Sequence, residues 1–279
     1  VRGTNQRRPR QRHKAMNSRS PPGLRILIGA GSFADAAAGF GIIKQLPIGF
    51  CAGLGGILVE ELDLLATTGI PDRRVILSSG KTTTAPTQSQ LRMLWKADAR
   101  AFRELLAHVS GPYGTQSVFM QDKGDLVRTA LRAAVGWDVL VLGYRQIHRI
   151  PGKVIHLKMS GTVGDQQGAS NRFSHLLSPE PVVFSINESP DEPLGADPST
   201  PFKFRSLDDA LAALARMNAK AVLVDFGRGP IRGQDDLLRL LEAARCPVIV
   251  FDASRPPALL EHSTQFPPAP ANGGPQNAG

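Results

Sequence analysis

The residues best suited to chemistry are glycine turns that close apolar runs. Gly29-Ala30-Gly31-Ser32 follows the run Leu24–Ile28, and Gly143-Tyr144-Arg145 follows Asp138–Leu142. Glycines there let backbone N–H groups approach an anion, and a helix N-terminus adds partial positive charge. Gly29, Gly31 and Ala34 fit G-x-G-x-x-A, a variant of the dinucleotide fingerprint. The acidic pair Glu60-Glu61 then comes later than the usual spacing of about 20 residues. Ser79-Gly80-Lys81-Thr82 resembles the end of a phosphate-binding Walker A loop. Val75 stands where that motif needs its first glycine, and no helix is predicted to open at Lys81, which favours a solvated loop.

The titratable residues do not converge. His13, His108, His148, His156, His175 and His262 are scattered, with no i,i+4 pair to hold zinc. His108 falls near a predicted helix C-terminus, where a cation is favourable. Arg145, His148 and Arg149 could face a phosphate or form an ordinary basic loop. Asp35, Asp125 and Asp225 sit at strand ends or helix starts, where a carboxylate serves as an acid, a base or, more commonly, a helix cap. The two cysteines, Cys51 and Cys246, lie far apart with no histidine near in sequence. They make neither a thiol nucleophile nor a cysteine-rich module, and such economy fits a reducing compartment. The expectation is a protein that is not an enzyme and holds no metal.

The elements that must position these residues alternate. Leu24–Ile28 reads as a strand, alanine-rich Ala34–Leu46 as a helix closed by Pro47, and Leu54–Val59 as a buried strand weakened by two glycines. Residues 60–86 read as irregular. Thr87 and Gln90 form a capping box for a long amphipathic helix stopped at Gly111-Pro112. Ser117–Met120 is a strand, Gly124-Asp125 opens a helix that Gly136 ends, and Asp138–Leu142 is a strand. Strands separated by helices imply right-handed crossovers and a parallel sheet, with Leu54, Ile57, Val139 and Val141 in its core. Lys153–Met159 is a possible further strand, and polar, glycine-rich 161–180 reads as a linker. A second, smaller unit follows: strand Pro181–Ile186, a proline-rich loop, a helix capped by Ser206, strand Ala221–Phe226, helix Asp235–Ala244 and strand Pro247–Phe251. The expected divisions are a basic tail 1–23, an α/β domain 24–160, a linker 161–180, a degenerate second α/β unit 181–252 and a proline-rich tail 253–279.

Of 279 residues, 42% are hydrophobic and 20% charged, enough for a packed core. The net charge of +9 invites a nucleic-acid partner. Seven basic residues and no acid fall within 1–23, however, and the 24–252 body keeps only +2 of that total. A body so near neutral is not built to track phosphates. The basic segment lacks the apolar core of a secretory signal and any aromatic residue to stack on bases; it reads as a disordered tail or as upstream sequence before a start at Met16, with a nucleic-acid arm as the alternative. The longest apolar stretch, Leu46–Val59, is short and broken by glycines, so a soluble, cytoplasmic protein with no membrane segment is expected.

The order of these pieces resembles the universal stress protein (UspA-like) family. The resemblance rests on the strand ending in Gly31-Ser32, the alanine-rich helix, and the strand ending in Val59-Glu60-Glu61. It rests also on Gly124-Asp125-Leu126-Val127 opening a helix, on DVLVLG at 138–143, and on CPVIVF at 246–251, which is similar to the family's closing strand. It looks particularly like the long members, in which a degenerate second copy follows the first. The resemblance implies a Rossmann-like α/β parallel sheet, a binding or regulatory role in stress response, and frequent dimerisation. Partners would be a second copy or a regulatory protein. One subgroup binds ATP, through an Asp ending the first strand and a G-x-x-G-(nine residues)-G-[S/T] stretch after the fourth. Here Ala30 takes the place of that Asp, Gln146 that of the second glycine, and Lys153 follows Gly152 in place of Ser or Thr. A displaced echo, Gly161-Thr162-Val163-Gly164, has Ser174 where a glycine is wanted. The expectation is no cofactor. Were ATP or AMP bound, Gly31, Ser32, Val59, Gly143, Arg145 and Gly152 would hold it. The alternatives are a ligand-free interaction scaffold that dimerises through its sheet edges and PVIVF, and a nucleotide-binding hydrolase of the same superfold.

Overall fold

The computed structural model describes residues 23–61, 74–76, 80, 82–114, 117–145, 152–160, 168–187 and 202–253. The expected tails fall, apart from Gly23 and Ala253, outside the described residues, as do His148, Arg149 and Gly161–Gly164.

Among the described residues, eleven strands and six α-helices follow one another along the chain. The first stretch carries β1 (Leu24–Ala30), α1 (Phe33–Ile43) and β2 (Cys51–Glu60), then the short strands β3 (Arg74–Ile76) and β4 (Thr82–Thr84). Helix α2 (Gln88–Ser110), β5 (Ser117–Lys123), α3 (Leu126–Ala133) and β6 (Val139–Leu142) follow. The later elements are β7 (Lys153–Met159), α4 (Ala169–Leu177), β8 (Val182–Ile186), β9 (Phe202–Phe204), α5 (Leu207–Leu214), β10 (Ala219–Asp225), α6 (Gln234–Ala244) and β11 (Val248–Phe251).

Among the described residues, nine strands share one sheet in the order β5-β2-β1-β6-β11-β10-β7-β8-β9. The neighbours of β1 and β2 are all parallel, as the apolar runs between Arg25 and Tyr144 require. The later five are parallel among themselves. The halves meet through one antiparallel pair, with Val248 opposite Leu142 and Phe251 opposite Val139. Both edges of β11 are therefore occupied, which corrects the expectation that PVIVF offers a dimerisation edge.

At the junction the expected strand Lys153–Met159 forms, while its grouping with the first domain and the linker reading change. Lys153–Met159 pairs with β8 and β10, at the centre of the later half-sheet. The expected linker contains α4, the crossover helix between β7 and β8. Among residues 60–86, the irregular reading gives way to an antiparallel β3–β4 pair. Gly80 takes a positive φ of 78° and Thr82 opens β4, so no helix follows the Walker-like tetrapeptide.

Among the described residues, three helices cover each face of the sheet. Phe40, Phe102, Phe173 and Leu177 place α1, α2 and α4 against Ile26, Ile28, Leu54, Val139 and Val141. Val127, Ala130, Leu211, Leu214, Leu237 and Leu240 place α3, α5 and α6 against Leu27, Ile57, Leu140 and Val248. Burying both faces is what makes these strands near-continuous apolar runs. The two glycines of β2 make room for rings. A Cβ on Gly55 would lie 2.5 Å from the Trp137 ring, and one on Gly56 2.7 Å from Phe102. Among the described residues no helix is long and apolar enough to cross a membrane.

Candidate functional site

Open parallel sheets present ligands with a crevice beyond the strand C-termini, where the strand order reverses. In the first half that point lies between β1 and β6, beside Gly31-Ser32 and Gly143-Tyr144-Arg145. The Gly143 N–H donates to the Gly29 carbonyl at 2.8 Å, which extends the β1–β6 ladder into the crevice wall.

Helix α1 starts in this crevice, and its first turn is closed by the chain's own groups. Ser32 is the N-cap, and its Oγ accepts the Asp35 N–H at 3.2 Å. The Ser32 hydroxyl donates to Asp35 Oδ2 at 2.5 Å. The other carboxylate oxygen, Oδ1, accepts the Arg145 N–H at 2.7 Å. Asp98, on α2, accepts the Phe33 N–H at 3.1 Å. Carboxylates thus take backbone donors at a helix start and on the loop after β6, where an anionic ligand would be held. Asp35 ties the first turn of α1 to the loop after β6; Asp125 caps α3 by accepting the Arg128 N–H at 2.8 Å.

Further acids line the neighbouring strand ends. Glu60 is buried and pairs with Lys123 at 3.3 Å. A Cβ on Gly31 would have Glu61 Oε1 3.7 Å away. Asp122, at the end of β5, is held below the usual carboxylate range by the Lys123 N–H and by Arg132.

The structure brings Gly31, Ser32, Gly143 and Arg145 together around Asp35. Val59 lies on β2, opposite Asp122, with its side chain buried in the core. Gly152 stands apart. It precedes β7, three strands from β6, or about 14 Å at ordinary strand spacing. A Cβ there would lie 2.5 Å from the Lys220 backbone nitrogen, so its need for glycine comes from packing against the start of β10. Gly143 and Gly29 are packing glycines too. A Cβ on Gly143 would sit 2.4 Å from the Asp35 carbonyl oxygen, and one on Gly29 2.9 Å from the Ala130 methyl.

Sequence reading left Asp98 aside, and nothing local marks it, since its partner is 65 residues away. His108 lies in the last turn of α2, where the sequence placed it. The thiols are buried, with Cys246 pushed up to about 12 by desolvation and Cys51 raised for the same reason. Among the described residues no group of three or more His, Cys, Asp or Glu could hold a metal ion.

No protein-family profile matches the chain, and no curated protein matches it. Among solved structures, it is similar to a universal stress protein from Archaeoglobus fulgidus DSM 4304 at 10% identity and a TM-score of 0.43, over 81% of this chain and 97% of that one.

Proposed function

We propose that this chain is a UspA-like α/β module that acts by binding or regulation in a stress response, and that it is neither an enzyme nor a nucleotide carrier. The observation that carries this reading is the Asp35 carboxylate, seated on the Arg145 N–H and the Ser32 hydroxyl. A nucleotide phosphate would have to displace that carboxylate and approach Glu61. Like charges at such distances oppose binding strongly once water is excluded. Among the described residues the Ser32 hydroxyl there is held in a helix-capping arrangement with Asp35, a local contact that gives a hydrolase reading no separate support.

Isothermal titration with ATP and with AMP tests the proposal. No heat at high micromolar ligand is expected, and saturable heat with either nucleotide refutes it. Steady ATP turnover that follows the protein through gel filtration would refute the non-enzymatic part. A second reading, dimerisation, is favoured by β5, a seven-residue strand that among the described residues pairs with β2 alone. An open edge is a template for another strand. Light scattering behind gel filtration decides it: twice the chain mass supports the reading, and a strict monomer ends it.

A further inference from the structure

His156 is the one wholly buried imidazole among the described residues, and neither ring nitrogen has a hydrogen-bond partner. A buried polar group without a partner is rare and costs stability, so its surroundings matter. It lies in mid-β7, opposite Val183 of β8 and Leu223 of β10. Alternation puts it on the same face as Val154, Ala221 and Leu223, under α4.

The cover is thin. Helix α4 has nine residues, and its buried positions are Ser170, Phe173, Ser174 and Leu177, half of them hydroxyls. Its N-cap is Gly168, which makes no side-chain cap. Nine residues are too few for a helix to persist in water without tertiary packing. Yet Phe173 spans the two halves of the molecule, edge-on to Phe251 at 5.5 Å and to Phe50 at 5.7 Å.

The charged groups packed around His156 are cations with one carboxylate among them. Lys158 follows on the same strand, and α4 brings Arg172 and His175. From β10 come Lys220, whose Nζ donates to the Leu177 carbonyl at 3.4 Å, and Asp225, which accepts the Ser170 hydroxyl at 3.2 Å. Strand β8 presents Val183 and Ser185 and no charge. Desolvation first, then Lys158 and His175, hold the His156 imidazole at about 3, far below its ordinary 6.5.

We infer that α4 is an acid-released latch: it closes over neutral His156, and lifting Ala169–Leu177 from the sheet lets a ring nitrogen take a proton from solvent while the Phe50–Phe173 tie between the halves is broken. The sign follows from linkage. The open state binds the proton with an ordinary histidine affinity, and the closed state barely binds it. Closure is therefore at full strength above pH 6.5 and weakens about tenfold per pH unit below it.

Hydrogen exchange of the full chain, read by mass spectrometry and corrected for intrinsic rates, tests the latch. Between pH 7.5 and pH 5.5, protection of the 168–178 amides is expected to fall about tenfold, and by pH 4.5 about a hundredfold. At each pH those amides should be less protected than the β1 amides. His156→Leu should abolish the α4 pH dependence. Protection of α4 that is flat with pH, or that equals and falls with that of β1, overturns the proposal. Should His156→Leu fail to fold, proton NMR of the unmodified chain still decides: a His156 ring titrating near 6.5 while α4 stays protected overturns it, and a midpoint well below upholds it.

Discussion

Gly143→Ala separates two reasons for a glycine at the crevice. The phosphate-loop reading asks for a backbone bare toward a ligand. The structure asks for a backbone bare toward α1. A Cβ there would meet the Asp35 carbonyl oxygen at 2.4 Å, the Asp35 carbonyl carbon at 2.7 Å and the Ala36 nitrogen at 3.2 Å. All three are backbone atoms in the first turn of a helix, so no side chain can swing aside. Gly39 repeats the closeness from the helix side, since a Cβ on it would lie 3.8 Å from the Gly143 Cα and 3.1 Å from Ile28. Forcing an extra methyl into such packing costs about 1–3 kcal/mol, and backbone on backbone belongs at the upper end. Moving the first turn of α1 also loosens the Arg145 N–H bond to Asp35, a charge-assisted contact of the stronger kind. The expected loss is about 3 kcal/mol, or roughly 1 M in urea midpoint for a slope near 3 kcal/mol/M. Gly31→Ala is the control. It flanks the same crevice, but the nearest atom to its added methyl is Glu61 Oε1 at 3.7 Å, so a change within about 0.5 kcal/mol is expected. Urea unfolding followed by far-ultraviolet circular dichroism reads both. Equal midpoints for the two variants, or a Gly143→Ala midpoint at the wild-type value, would refute the packing argument.

Gly41 is exposed in the last turn of α1 with nothing within 4 Å of an added Cβ. Gly41→Ala should therefore stabilise the protein by about 0.5–1 kcal/mol in the same urea assay, because alanine carries a smaller backbone entropy cost in a helix. Cys51 and Cys246 are buried free thiols with raised proton affinity, so an aromatic disulfide reagent should label neither in the native protein at pH 8 and both in denaturant. Global stability should be level above pH 6.5 and fall as pH drops toward about 3, where His156 titrates in the fold. That one site accounts for up to about 5 kcal/mol over the interval, a component that His156→Leu should remove from the curve of stability against pH.

How much of this was legible follows from what each segment buries. The first half reads well because its strands are apolar runs between helices with clear caps: Thr87 accepts the Gln90 N–H at 3.3 Å, and Asp125 caps α3. Strand β2 looked weak because of Gly55 and Gly56, and only three-dimensional packing reveals that Trp137 and Phe102 fill the space those glycines leave. The β7–α4 segment misleads for a different reason. His156 and Lys158 interrupt the strand's apolar pattern, and α4 buries two serines with Phe173 and Leu177, so neither periodicity stands out. The seam was not legible at all. VLVL of β6 and VIVF of β11 carry no mark of direction, and their pairing joins segments about a hundred residues apart. At the crevice, Ser32 and Asp35 were visible as a helix start, but the donor that completes the arrangement, the Arg145 N–H, lies 110 residues from Asp35.

The seam also bears on the two proposals together. Because β6 and β11 run antiparallel while each half is parallel within itself, β1-α1-β2 in one half has its counterpart in β7-α4-β8 of the other, pointing the opposite way. Both crossover helices lie on the same face of the sheet. Their starts differ sharply. Helix α1 opens on a capping serine and a carboxylate tied across to Arg145, whereas α4 opens on Gly168 and covers an unpartnered imidazole. The first arrangement places carboxylates on the Phe33 and Arg145 backbone donors that a ligand would compete for. The second leaves polar groups that gain from meeting water. A chain that closes one crossover and leaves its counterpart loose has its conformational freedom at α4, so a regulatory signal acting on this fold should register in the Phe50–Phe173 contact before it registers at the Asp35 crevice.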